Sequence, residues 1–113
     1  PYADLMYTYH YYPSSVGDLY IPLLTKMLDR SFPIFVTEWG VDANTQSGEL
    51  ELERAHQFVS FLNKHKISWA NWSLSNKDET FSAIAPHVAK IHGWTEDELT
   101  PTGKLVFKAL AGS

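Results

Sequence analysis

The residues best suited to chemistry in this chain are carboxylates and aromatics that stand side by side. The stretch "FVTEWG", residues 35–40, runs an apolar segment straight into Glu38, with the broad ring of Trp39 next to it and Gly40 after it. A carboxylate in that place is either a catalytic or binding group, or a strand-end acid turned into water. Its neighbours favour the first. Trp39 offers an apolar face the size of a sugar ring, and Gly40 permits a sharp backbone turn. A polysaccharide site needs this mixture: ring faces that receive the CH face of a pyranose, and carboxylates that act on the glycosidic bond.

Other residues join weakly on composition alone. His10 and Tyr12, in "YTYHYY", are two apart and project the same way from extended backbone. They are packing residues, or they bond the carboxylate or a sugar hydroxyl. Trp72 is a core tryptophan or a ring projecting from a sheet rim. Lys77 and Glu79, in "SNKDE", read as solvated loop charges. His56, His65, His87 and His92 match no zinc spacing. No glycine-rich phosphate loop follows any strand, so neither metal nor nucleotide cofactor is expected.

These residues need elements to hold them. The sequence predicts strands over Leu5 to Tyr11, Ile34 to Trp39 and Ile67 to Leu74, each rich in β-branched and aromatic residues. Period-two alternation places Ile34, Val36 and Glu38 on one side, so Glu38 is expected to extend an interior-facing apolar row to the mouth of the sheet. Between the strands, helices are expected over Leu19 to Arg30, with Leu23, Leu24, Met27 and Leu28 sharing a face, and over about Glu49 to His65, with Leu50, Ala55, Phe58, Val59 and Leu62 at helical spacing. Glu49, Glu51 and Glu53 would be solvated. An irregular stretch, Ser75 to Leu99, contains a possible capping box at Thr95 and Glu98. Thr100-Pro101 then opens a last helix that ends near Gly112. Strand–helix alternation means parallel strands and right-handed crossovers, with ligands at the carboxyl ends of the strands. His10, Tyr12, Glu38, Trp39 and Trp72 all fall there. Three strands cannot close a barrel, so a larger β/α sheet is expected.

The bulk numbers are those of one globular domain. The chain has 113 residues, 44% hydrophobic and 19% charged. A net charge of -4 argues against a backbone-driven nucleic-acid binder. No apolar run is long enough to cross a bilayer. Zero Cys excludes disulfides and a thiol nucleophile.

Taken in order, "YTYHYY", "IFVTEWG", "ISWANWSLSNKDE" and "GWTEDELTPTGK" resemble the C-terminal part of the endo-β-1,4-glucanases of glycoside hydrolase family 5. The resemblance runs along nearly the whole chain. It implies an α/β fold, a partial (β/α)8 TIM barrel comprising the last three β/α units, strands 6–8, with residues 1–113 as the C-terminal segment of the catalytic domain. It also implies a secreted, retaining enzyme acting on β-1,4-glucan, in which Glu38 is the nucleophile. Tyr12 would hydrogen-bond it, and His10 would shape the subsite around the scissile bond. Trp72 would stack on a glucosyl ring, Lys77 and Glu79 would bond sugar hydroxyls at outer subsites, and Trp39 would pack behind the nucleophile. β-Mannan, xyloglucan and mixed-linkage glucan are alternative substrates for the same nucleophile motif, and a non-catalytic sugar-binding fragment is the other alternative.

The departures carry consequences. "YYPSSVG" and "AIAPHVAKIHGW" differ from the family's usual wording. The family's acid/base is a Glu in an Asn-Glu-Pro motif, and this sequence has none. The chain alone is therefore expected to hydrolyse cellulose poorly, and its sheet edges are expected to be covered by the missing N-terminal barrel half or by a second copy.

Overall fold

The computed structural model describes residues 3–112. The elements run β1 (Tyr7–Tyr11), α1 (Pro13–Val16), α2 (Tyr20–Asp29), β2 (Ile34–Trp39), α3 (Leu52–Lys64), β3 (Ser68–Asn71), a 3-10 turn (Glu96–Glu98) and α4 (Pro101–Leu110). One sheet holds the strands in the order β1-β2-β3, with both pairings parallel. Parallel neighbours require crossovers, and α2 and α3 supply them.

The helices cover one face. In α3, Ala55, Phe58, Val59 and Leu62 are all buried, as their spacing predicts. α2 differs from expectation: Tyr20 and Leu24 are buried while Leu23 is 47% exposed. The inward stripe is Tyr20, Leu24, Met27 and Leu28, the residues that pack on the core. Under these helices lie Tyr11, Ile34, Val36 and Trp39. Phe58 is the hub. Its ring stacks on Tyr11 with centroids 3.8 Å apart and meets Tyr20 edge-on at 4.9 Å.

The opposite face is bare. Thr8, His10, Thr37, Ser68 and Ala70 are exposed there. Among the described residues β1 and β3 are both edge strands, so the sheet is an open arc.

Between these faces the chain breaks its own alternation. Thr8 pairs with Phe35 but His10 with Glu38; Val36 pairs with Trp69 but Trp39 with Asn71. Both ladders meet one extra residue in β2 at Thr37–Glu38, which is a β-bulge. The expected row of Ile34, Val36 and Glu38 does not form. Ile34 and Val36 face the helices, and so does Trp39, while Thr37 and Glu38 both turn to the open face.

Strand β3 is shorter than Ile67 to Leu74, because the chain leaves the ladder after Asn71. Ser73 instead exchanges bonds with residues 81–83: its N–H donates to Phe81 O at 3.0 Å, and its carbonyl accepts from Ala83 N at 3.1 Å. The stretch that follows has its own small core of Ala83, Ile84 and Val88. The Thr95–Glu98 capping box is present. Thr100 caps α4 as expected, its Oγ1 accepting from Gly103 N at 3.0 Å and donating to Ser82 O at 2.6 Å. Val106 and Ala109 of α4 complete the main core.

Candidate active site

Glu38 sits where the bulge delivers it, at the carboxyl end of β2 beside the end of β1. Tyr12 Oη donates to Glu38 Oε1 at 2.5 Å, the length of a charge-assisted O–H···O bond. Burial, and then the Glu38 carboxylate itself, push the Tyr12 phenol far above its ordinary value, so its proton stays on the oxygen. The other oxygen, Oε2, faces His10 Nδ1 at 3.9 Å. The far nitrogen of that ring, Nε2, lies 3.1 Å from Thr37 Oγ1. The hydroxyls of Thr37 and Thr8 are hydrogen-bonded to each other. The carboxylate is oriented on both sides, with one face left open to solvent.

Gly40 fits this cluster together, though not through a turn at positive φ. A Cβ there would lie 2.8 Å from Tyr12 Cε1 and from the Trp72 carbonyl oxygen. Only glycine lets β1, β2 and β3 approach so closely at their carboxyl ends. Phe81 closes the back of Tyr12 edge-on, ring centroids 5.3 Å apart.

Trp39 is fully buried behind Glu38, packed edge-on against Trp69 and Phe58, and presents no face to a ligand. Trp72 is 49% exposed just beyond β3, its peptide bond to Ser73 cis and its N–H donating to Trp39 O at 2.7 Å. The Asn71 amide donates to the same carbonyl at 3.0 Å. Trp72 is an exposed aromatic ring at the carboxyl end of β3. Lys77 and Glu79 are exposed on the loop after β3 and make no hydrogen bond or ion pair to the Glu38 cluster among the described residues.

Glu51 is not simply solvated: it accepts from the Asn44 amide at 2.8 Å. Asp42 is buried and takes both the backbone N–H of Ser14, at 3.0 Å, and the Ser14 hydroxyl, so it ties the loop after β2 to the start of α1. The sequence reading missed Thr37, Phe81 and Asp42. A "TE" pair in a strand reads as opposite faces, and only the bulge puts both on one. Among the described residues no group of three or more His, Asp or Glu is arranged to hold a metal ion. No helix among them is long and apolar enough to cross a membrane.

Known proteins are similar to this chain in sequence and fold. The model of the cellulase family (glycosyl hydrolase family 5) matches residues 1–78. Endoglucanase A of Evansella cellulosilytica is 38% identical over 103 residues, covering 91% of this chain and 21% of that protein. Endoglucanase 5 of Pectobacterium carotovorum is 36% identical over 106 residues, covering 94% and 21% respectively. Among solved structures, a protein of Cytophaga hutchinsonii is 40% identical with a TM-score of 0.79, over 93% of this chain and 34% of that one. The catalytic domain of Thermobifida fusca endoglucanase Cel5A, solved in complex with cellotetraose, is 26% identical with a TM-score of 0.76, over 93% and 35%. The chain thus spans about a fifth of the length of the curated relatives it matches. Its fold is that of part of a TIM barrel, three β/α units with the helices outside and the site at the carboxyl ends of the strands.

Proposed function

The chain belongs to glycosyl hydrolase family 5, and from that premise we propose that it is the C-terminal, nucleophile-bearing part of a retaining endo-β-1,4-glucanase that works outside the cell. The observation that carries this reading is Glu38 itself: a carboxylate raised onto the open face by a bulge, gripped at one oxygen by Tyr12, with a solvent-facing tryptophan across the strand ends. In the proposed step Glu38 attacks the anomeric carbon of a glucosyl unit, the glycosidic oxygen departs with a proton from an acid, and water later hydrolyses the glycosyl-enzyme. Tyr12 fixes the attacking carboxylate. His10 shapes the subsite at the scissile bond. Trp72 carries a glucosyl ring on its exposed face, and Lys77 and Glu79 bond sugar hydroxyls farther out. The cellotetraose bound in the Thermobifida fusca endoglucanase supports a glucan as the substrate.

Retaining chemistry needs a second carboxyl about 5–5.5 Å from the first. Asp42 is committed to Ser14, and Glu51 is committed to Asn44. The acid is proposed to come from chain outside these 113 residues, reaching Glu38 across the bare face of the sheet. The covering of that face is proposed to be the N-terminal half of the barrel or a second copy. A cavity of about 260 Å³ between β3 and α4, lined by Trp69, Leu74, Val106, Phe107 and Leu110, lies at the β3 edge and not on the bare face. Without the acid, loss of about 10²–10⁴-fold in rate is expected. Assay of the chain alone on carboxymethylcellulose tests this: turnover equal to that of an intact relative contradicts it. Product analysis on glucan and mannan substrates, with the complementary barrel half supplied, tests the choice of polymer.

A further inference from the structure

We propose that Thr37 is a positioning residue that holds the His10 ring where the Glu38 carboxylate selects its tautomer, so that the imidazole presents an N–H, and not a lone pair, to Glu38. The inference rests on the reading of Glu38 as nucleophile only for its purpose; the geometry stands by itself. Four groups form one line: the Thr8 hydroxyl, the Thr37 hydroxyl, the His10 ring and the Glu38 carboxylate. A neutral imidazole carries its proton on one nitrogen and a lone pair on the other. Two arrangements satisfy the hydroxyls equally. In one, Thr8 donates to Thr37, Thr37 donates to His10 Nε2, and the ring proton is on Nδ1. In the other every donor is reversed, and Nδ1 bears a lone pair.

The carboxylate breaks the tie. Its Oε1 is already taken by Tyr12, and Oε2 is 3.9 Å from Nδ1. A lone pair turned toward an anion at that range is repelled, whereas an N–H is attracted. At 3.9 Å the pair is beyond hydrogen-bond length, so the attraction alone does not hold the ring. The hydroxyl of Thr37, 3.1 Å from Nε2, supplies the second point that fixes its plane. The bulge is what makes this possible, since it puts Thr37 and Glu38, adjacent in sequence, on the same face to grip opposite ends of one imidazole. A carboxylate with an N–H at one oxygen and a phenol at the other is held in a single orientation, which is what attack on one anomeric carbon requires.

Nitrogen-15 NMR of the imidazole in the full chain reads the tautomer directly, at a pH where His10 is neutral. The expected result is Nδ1–H as the dominant form in the native chain, loss of that dominance in Thr37→Val, and its return in Thr37→Ser. Valine keeps the shape of threonine and removes only the hydroxyl. Amide spectra of the variants report whether the sheet is intact. Dominant Nε2–H in the native chain overturns the proposal whatever the variants do, and so does a folded Thr37→Val chain with the native signature. Neither outcome bears on whether Glu38 becomes glycosylated, so the two readings fail separately.

Discussion

The two faces of the same three strands have been put to opposite uses. On the helix side, Tyr11, Ile34, Val36 and Trp39 are shut away against Phe58 and Leu62. On the open side, hydrogen bonds join Thr8, Thr37 and His10, and another joins Tyr12 to Glu38, all in or near water. The first face holds the fold together through apolar area removed from water. The second contributes little to stability, because polar contacts there exchange with solvent. A single inserted residue in β2 lets one strand serve both. The difference teaches that the site is a by-product of neither packing nor propensity; it depends on a backbone irregularity that the packed face can tolerate.

Substitutions can break this division, and the largest effect is expected on the open face. Glu38→Gln should lower kcat of the glucanase assembly containing this chain by about 10⁶-fold, the scale on which an enzyme loses its nucleophile. Urea denaturation should show a change of stability within about 1 kcal/mol. Phe58→Ala should do the reverse, since it empties the hub of the packed face. A stability loss of about 3–5 kcal/mol is expected by urea denaturation, with the Tyr12–Glu38 bond surviving in whatever fraction remains folded. If the two variants gave similar profiles, the separation of the faces would be wrong.

Gly40→Ala sharpens the boundary. Its Cβ would collide with Tyr12 and with the Trp72 carbonyl, so a stability cost of about 1–3 kcal/mol is expected together with a fall in activity. A rise in stability would show that the strand ends do not approach as closely as described.

The smallest effect lies away from both faces, at the Lys90–Glu98 pair. Lys90 Nζ is 2.6 Å from Glu98 Oε2, and that ammonium, then the Thr95 backbone N–H, hold the Glu98 carboxyl down at about 2 against an ordinary 4.5. A depressed carboxyl stabilises the folded state above its unfolded value and loses that contribution as pH falls through the folded one. The 3-10 turn should therefore loosen between about pH 4.5 and 2 while the sheet stays intact. Lys90→Met should move the Glu98 titration, followed by NMR, back toward 4.5. An unchanged titration would remove Lys90 as the cause.

Much of this arrangement is legible in the sequence, for identifiable reasons. The apolar spacing of α3 gives its buried face because helical period and burial coincide there. β2 has the predicted ends, since Pro33 starts it and Gly40 follows it. Thr100-Pro101 marks the start of α4 because capping is local chemistry. What escaped was non-local. The bulge arises from β2 pairing with both neighbours at once, so alternation misplaced Glu38 relative to Val36. β3 ends early because Ser73 finds partners at Phe81 and Ala83, a contact no local pattern encodes. Short α1 has no local signal, since its first turn is fixed by Asp42, 28 residues from Ser14. Phe81 and Gly40 enter the site only through the close approach of three strand ends.

Glu38 as the attacking group is most directly tested by trapping. A 2-fluoro cellobiosyl donor with a good leaving group, incubated with the assembly that contains this chain and followed by peptide mass spectrometry, should leave its sugar on the peptide holding residues 35–40, with fragmentation placing it on Glu38. A label on any other residue, or turnover with inversion and no adduct, contradicts that role.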